Sequence, residues 1–194
     1  MEIERKWMVD GWPPLDEAAL PLLYTEYQEQ GYIHVNAPIV RIRLEARVAE
    51  TPESDREKSS APVTDLVQSR VKDEDSKYVL CIKSAGYLAR EEVEIEMGKD
   101  HFSRLAMQLA GPLIRKVRRV YRLEEGLCLE VNLVDEGLPT EFMYAEVEFG
   151  SEEQARSWEP AACGLGDYLM DDVTEKPGQS MSAYWDRTRL NSPG

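Results

Sequence analysis

The chain has 194 residues, with 37 acidic against 23 basic side chains and a formal net charge of −14. That length suits a single domain with its own core, and 42% apolar with 31% charged residues fits a globular chain rather than a disordered one. So acidic a composition argues against a nucleic-acid partner. No apolar run approaches the ~18 residues of a membrane helix, and the charged start MEIERKWMVD has no signal-peptide core.

A reducing cytoplasm is the expected compartment. Cys81, Cys128 and Cys163 are an odd set without C-x-x-C spacing and read as buried residues or free thiols. His34 and His101 stand in unrelated settings, which speaks against a His/Cys zinc site. No glycine-rich phosphate loop or serine elbow occurs, so phosphate chemistry here has to rely on side chains.

Residues 2–9 alternate charged and apolar, the pattern of a strand with two unlike faces. The break Gly11-Trp12-Pro13-Pro14 is followed by an expected short helix over 15–24, and a second strand starts at Gln30-Gly31-Tyr32-Ile33. Residues 40–44 alternate again. Residues 50–76 are rich in Pro, Ser, Asp, Glu and Lys without periodicity and read as a flexible loop or insertion. Strands are expected over 78–84 and 90–97. An amphipathic helix is expected over 100–110, where apolar residues recur at 102, 105, 106 and 109 before Gly111-Pro112. Residues 114–123 and 127–134 form a hairpin pattern, 144–149 a strong strand, and 151–158 a helix opened by the capping box Ser151 to Gln154. The segment 180–190 is weakly helical. The sum is an α+β domain over 1–194, built on an antiparallel, barrel-like sheet.

Side chains two apart on a strand share a face. One face therefore collects Glu2, Glu4 and Lys6; Arg41 and Arg43; Lys83; Arg90, Glu92 and Glu94; Lys116 and Arg118; Glu130 and Asn132; and Glu146 and Glu148. The opposite faces carry apolar residues such as Ile3, Trp7, Val40, Ile42, Leu44, Val93, Ile95, Leu129, Val131, Leu133, Ala145, Val147 and Phe149, with Arg5 among them on the first strand. A sheet with one solvated side is the plain explanation. Yet the signs are segregated, and two like charges ~7 Å apart repel by roughly 2 kcal/mol at an effective dielectric of 20. A solvated face avoids that by mixing signs. A closed sheet with its charges inward gives each cluster a counterpart instead. Carboxylates would take a hard divalent cation such as Mg²⁺ or Mn²⁺, and Arg and Lys would take phosphate oxygens. Such a cavity suits phosphoryl transfer or hydrolysis.

Glu2-Ile3-Glu4-Arg5-Lys6 resembles the E-x-E-x-K signature of the triphosphate tunnel metalloenzymes, the CYTH family. Further matches follow in order: Val40-Arg41-Ile42-Arg43, Ile82-Lys83-Ser84, Arg90 to Glu94, Lys116-Val117-Arg118, Leu129 to Asn132, Ala145 to Phe149 and Asp172-Val173-Thr174. The start and the later Gln30-Gly31-Tyr32-Ile33 are more similar to the bacterial inorganic triphosphatase branch. The resemblance implies an eight-stranded closed β-tunnel with a charged interior, flanked by a few helices. It implies that Lys6, Arg41, Arg43, Lys83, Arg90, Lys116 and Arg118, with Lys176, hold phosphate oxygens. Glu2, Glu4, Glu146 and Glu148 would hold a bridging Mg²⁺ or Mn²⁺. Glu92, Glu94 and Glu130, with Lys83 beside them, would serve the catalytic step, Glu94 and Asn132 also touching a second metal.

The implied activity is metal-dependent hydrolysis of tripolyphosphate to pyrophosphate and phosphate. The alternatives are a class IV adenylate cyclase or another nucleoside- or thiamine-triphosphate enzyme, and a non-catalytic polyphosphate-binding module. The implied partner is a small triphosphate, with neither nucleic acid nor membrane; a homodimer is compatible with it. Three departures stand out. Asn132 replaces the usual Asp, 175–181 keeps a single base, Lys176, and 50–76 lengthens one connection as an ornament or a gate, ornament being preferred.

Overall fold

The computed structural model describes residues 1–16, 18–48 and 61–191. These form ten strands: β1 (Glu2–Val9), β2 (Leu22–His34), β3 (Ile39–Val48), β4 (Ser76–Lys83), β5 (Ala89–Arg90), β6 (Glu92–Glu96), β7 (Ile114–Arg122), β8 (Cys128–Val134), β9 (Phe142–Glu148) and β10 (Asp171–Asp172). Four α-helices accompany them: α1 (Val63–Gln68), α2 (Lys99–Ala106), α3 (Glu152–Ser157) and α4 (Met181–Trp185). The strand order is β10-β1-β9-β8-β7-β2-β3-β4-β6, with β5 on β1, and every pairing is antiparallel.

Closure depends on the 90–97 segment, which is two strands rather than the expected one. Ala89 and Arg90 pair with Ile3 and Glu2 of β1. Beyond Glu91 the chain changes partner, and Glu92–Glu96 pair with Lys83–Val79 of β4. One kinked segment thus joins both ends of the sheet path and shuts the barrel. The strand count among the described residues exceeds the eight that the resemblance implies; only counting β5 and β6 as one wall and leaving the two-residue β10 aside gives eight walls.

Two other expectations are corrected. Among the described residues of 15–24 there is no helix: a turn covers 18–19 and β2 begins at Leu22. Pro21 disfavours helical backbone at Leu20 and has no N–H to continue a helical ladder, so a helix cannot run through to residue 24. Within 50–76, residues 50–60 lie outside the described residues, and the remainder is not plain loop. It contains α1, whose Val63 and Val67 pack on Tyr27 and Val117 of the barrel wall. The Glu136 carboxylate caps this helix, accepting from the Val63 and Thr64 amides at 3.0 and 2.7 Å.

The apolar strand faces point outward, and the helices and loops cover them. Ile3, Trp7, Val9, Leu129, Val131 and Val147 form the largest cluster, beside Ala155 of α3 and Trp158. Trp158 meets Trp7 edge-on at 5.8 Å. Each such buried side chain contributes about 1.5–3 kcal/mol. On the opposite wall Trp185, just C-terminal in α4, and Leu109 pack against Gly31 of β2; a Cβ there would collide with Leu109. With apolar side chains outside, the barrel interior is left to the polar set.

Candidate active site

The inward faces of these strands enclose a cavity of about 910 Å³. It is lined by Glu2, Glu4 and Lys6 of β1, Arg41 and Arg43 of β3, Lys83 of β4, Arg90 of β5 and Glu92 and Glu94 of β6. Lys116 and Arg118 of β7, Glu130 of β8 and Glu146 and Glu148 of β9 complete the ring. Strand alternation within a closed sheet is the reason: once one residue of a strand faces inward, its i±2 neighbours must follow.

The bases sit in an ion-pair lattice. Lys83 Nζ is 2.8 Å from Glu2 and 3.1 Å from Glu92. Arg90 reaches Glu2 at 2.7 Å and also holds Glu4. Arg43 lies 3.0 Å from Glu94, Arg118 lies 2.7 Å from Glu130, and Lys6 lies 3.5 Å from Glu146. Two bases are less well served. Arg41 has its Nε and one terminal nitrogen buried without a hydrogen-bond partner among the described residues, the nearest carboxylates, Glu92 and Glu94, being 3.6 Å away. Lys116 is 2% exposed, and among the described residues its ammonium donates only to the Tyr144 hydroxyl, at 3.0 Å. Burial, and then Arg118, hold the Lys116 ammonium well below its usual range. Buried donors that lack acceptors fit a ligand rich in anionic oxygen.

The carboxylates concentrate on β1 and β9. Glu4 stands directly opposite Glu148, and Glu146 directly opposite Glu130. Facing like charges are destabilising unless a cation lies between them. Burial and then Glu146 push the Glu4 carboxyl up to about 7, against the pull of Arg90. Burial and then Glu2 and Glu130 also raise Glu148. Glu2 differs: burial works to raise it, yet Lys83 and Arg90 prevail and hold it at about 2. Glu146 is lowered too, since Lys6, Arg118 and Lys116 outweigh its burial. Crowded carboxylate oxygens, with Glu4 and Glu148 kept from ionising easily, are a donor set that could hold a hard dication.

One candidate residue does not line the cavity, and another lines only its rim. Asn132 is fully buried and does not line it; its Oδ1 accepts from Arg118 Nε at 3.1 Å. Lys176 lies at the rim, half-exposed, with Nζ 2.7 Å from Asp171.

The inward side of β2 escaped the sequence reading. Glu26, Gln28, Gln30 and Tyr32 alternate there, all buried. Tyr24 to Gly31 is polar on both faces, so hydrophobic period two carried no signal; the run Glu26-x-Gln28-x-Gln30 was the available clue. Tyr144 and Cys81 were also missed. Cys81 Sγ donates to Glu92 at 2.8 Å, and Cys81, Glu92 and Glu94 offer ligand atoms within 4.8 Å of one another. Arg41 and Lys83 against the same carboxylates make that corner a poor place for a second cation. No helix among the described residues is long and apolar enough to cross a membrane.

No family model matches the chain. A curated relative, the inorganic triphosphatase of Nitrosomonas europaea, is 29% identical over 174 residues, spanning 90% of this chain and 89% of its own. The crystal structure of the inorganic triphosphatase NE1496 superposes with a TM-score of 0.54 at 23% identity, over 100% of this chain and 97% of that one. An adenylyl cyclase-type protein from Hippeastrum with a dominant triphosphatase activity superposes with a TM-score of 0.61 at 19% identity, over 95% of each chain. At these identities the superpositions speak to the fold. The chain has the closed antiparallel barrel fold of these solved structures and is similar in sequence to an inorganic triphosphatase.

Proposed function

We propose that the protein is a triphosphatase that splits tripolyphosphate into pyrophosphate and phosphate with the help of a divalent cation. The observation that carries this reading is the division of one cavity into two unsatisfied halves. Among the described residues, Arg41 and Lys116 are buried donors without anionic acceptors in hydrogen-bond range, and Glu4 and Glu148 are crowded carboxylates. The similarity to an inorganic triphosphatase supports the same substrate class.

In this reading Arg41, Arg43, Lys83, Arg90, Lys116, Arg118 and Lys6 bind the phosphoryl oxygens, the guanidinium groups by paired donors. Glu4, Glu146 and Glu148, with Glu2, hold the metal. Mg²⁺ or Mn²⁺ bound there neutralises charge on the phosphoryl oxygens. Glu92, Glu94 and Glu130 orient the attacking water. Glu94, the most exposed of the three at 43%, accepts the water proton. The oxygen of water bonds to the terminal phosphorus, and the bond from that phosphorus to the bridging oxygen breaks. Pyrophosphate leaves with the electron pair, while the bases take up the charge that develops.

The test is a comparison of tripolyphosphate, ATP and thiamine triphosphate as substrates, with Mg²⁺ or Mn²⁺ and with product analysis. The expected result is orthophosphate and pyrophosphate from tripolyphosphate at the highest kcat/KM. Cyclic AMP from ATP as the main product would transfer the site to a cyclase, and tight binding without phosphate release would make it a polyphosphate-binding module.

A further inference from the structure

Tyr144 belongs to none of the ionic sets above, yet it touches two of the cavity's bases with two different parts of its side chain. Lys6 Nζ lies over its ring, 3.7 Å from the centroid. Lys116 Nζ donates to its hydroxyl at 3.0 Å and is 5.6 Å from the centroid. The two lysines come from β1 and β7, and on the path β1-β9-β8-β7 Tyr144 of β9 lies between them. Phe142, inward two residues earlier, stacks on Tyr144 at 5.7 Å with an interplanar angle of 24°, and Tyr184 of α4 backs Phe142 at 4.8 Å. The ring is therefore fixed from behind. Its hydroxyl accepts from Lys116, and its own proton meets no acceptor among the described residues, although the side chain lines the cavity.

We propose that Tyr144 is a positioning and substrate-contacting residue that sets the spacing of Lys6 and Lys116 and supplies a neutral O–H donor between them, so that neighbouring phosphoryl groups of one linear polyphosphate are gripped together. The ring face fixes Lys6 by cation–π attraction. The hydroxyl fixes Lys116, which no carboxylate holds within 4 Å among the described residues. Without Tyr144 the Lys116 ammonium would have no partner and no fixed direction. The hydroxyl proton then completes a row of three donors, ammonium, phenol and ammonium, facing one chain of phosphates.

This inference rests on the reading of the cavity as a tripolyphosphate site, and binding separates the two. Tripolyphosphate affinity is measured by calorimetry, with Mg²⁺, for wild type, Tyr144→Phe, Tyr144→Leu, Lys116→Met and the double variant Tyr144→Phe/Lys116→Met. Phosphate release is measured for the same set. The expected result is a Kd and KM about tenfold higher for Tyr144→Phe, the scale of one hydrogen bond to a charged group, with kcat changed much less. Tyr144→Leu, which also removes the ring from Lys6, weakens binding further, and Tyr144→Phe rescues part of that loss. In the double variant the two losses add only in part, because the share of the hydroxyl's effect that runs through Lys116 is lost once while its own donation to the substrate is lost independently. Full additivity, or Tyr144→Phe binding as wild type does, overturns the inference and leaves Tyr144 a packing residue. Wild type that binds tripolyphosphate without releasing phosphate overturns the triphosphatase reading alone. Wild type that does not bind it overturns both.

Discussion

Glu4 and Lys116 show at the scale of single residues that the interior is arranged for a ligand rather than for stability. A buried lysine whose only partner among the described residues is a phenol costs folding energy, and its replacement by a shape-matched apolar residue commonly restores some. Lys116→Met is therefore expected to melt at the wild-type temperature or a few degrees above it while losing tenfold or more in KM for tripolyphosphate; paired thermal melts and steady-state kinetics check this. Glu4→Gln keeps the shape and removes the charge from the carboxylate crowded by Glu146. It is expected to lower kcat by about 10²–10³-fold, the scale of losing a preorganised electrostatic contact, with an unaltered far-ultraviolet circular dichroism spectrum. Wild-type turnover by that variant would remove Glu4 from the metal site. The sequence made these residues legible because each is one of a like-charge pair at i, i+2 or its neighbour. Asn132 was legible as inward but not as a support for Arg118, since alternation gives the face of a side chain and not its partner.

Among elements, β10 shows how a two-residue strand steadies the wall that carries Glu2, Glu4 and Lys6. Arg5, outward on β1, reaches Asp172 at 2.7 Å and also donates to the Ala155 and Trp158 carbonyls at 3.1 and 2.8 Å. One guanidinium ties β1 to β10 and to α3. Burial works to raise the Asp172 carboxyl, but hydrogen bonds from the Thr174 hydroxyl and amide, then Arg5, hold it below the ordinary aspartate value of 3.8. A carboxyl depressed in the folded state adds stability above its unfolded pKa and loses it as pH falls through the folded one. Asp172→Asn is thus expected to cost about 1 kcal/mol in urea unfolding at pH 7, with the gap to wild type narrowing as pH falls below the ordinary aspartate range; a gap that does not change with pH would contradict this. The strong two-period strands β1, β3, β4 and β7 to β9 were readable from sequence because one face is charged and the other apolar. The switch at Glu91 was not, because 90–97 keeps its alternation across the kink and only the pairing partner changes. Helix α1 was hidden for a related reason: six residues are too few to show a helical period.

For the whole molecule, the charge of −14 and the capacity to hold a polyanion are separable. Residues 135–175 carry twelve acidic side chains and one basic one, Arg156, and of those twelve only Glu146 and Glu148 line the cavity. Inside, the bases Lys6, Arg41, Arg43, Lys83, Arg90, Lys116 and Arg118 face the acids Glu2, Glu4, Glu92, Glu94, Glu130, Glu146 and Glu148, so an added dication tips the interior positive. An acidic exterior around such an interior selects for a ligand small enough to enter the barrel. The most direct measurement is phosphate release from tripolyphosphate by the wild-type protein, titrated with Mg²⁺ or Mn²⁺ and then with excess chelator. The account predicts one phosphate and one pyrophosphate per tripolyphosphate, with turnover that rises with the metal and stops with the chelator. Turnover unaffected by chelation, or no release with either metal, would contradict it.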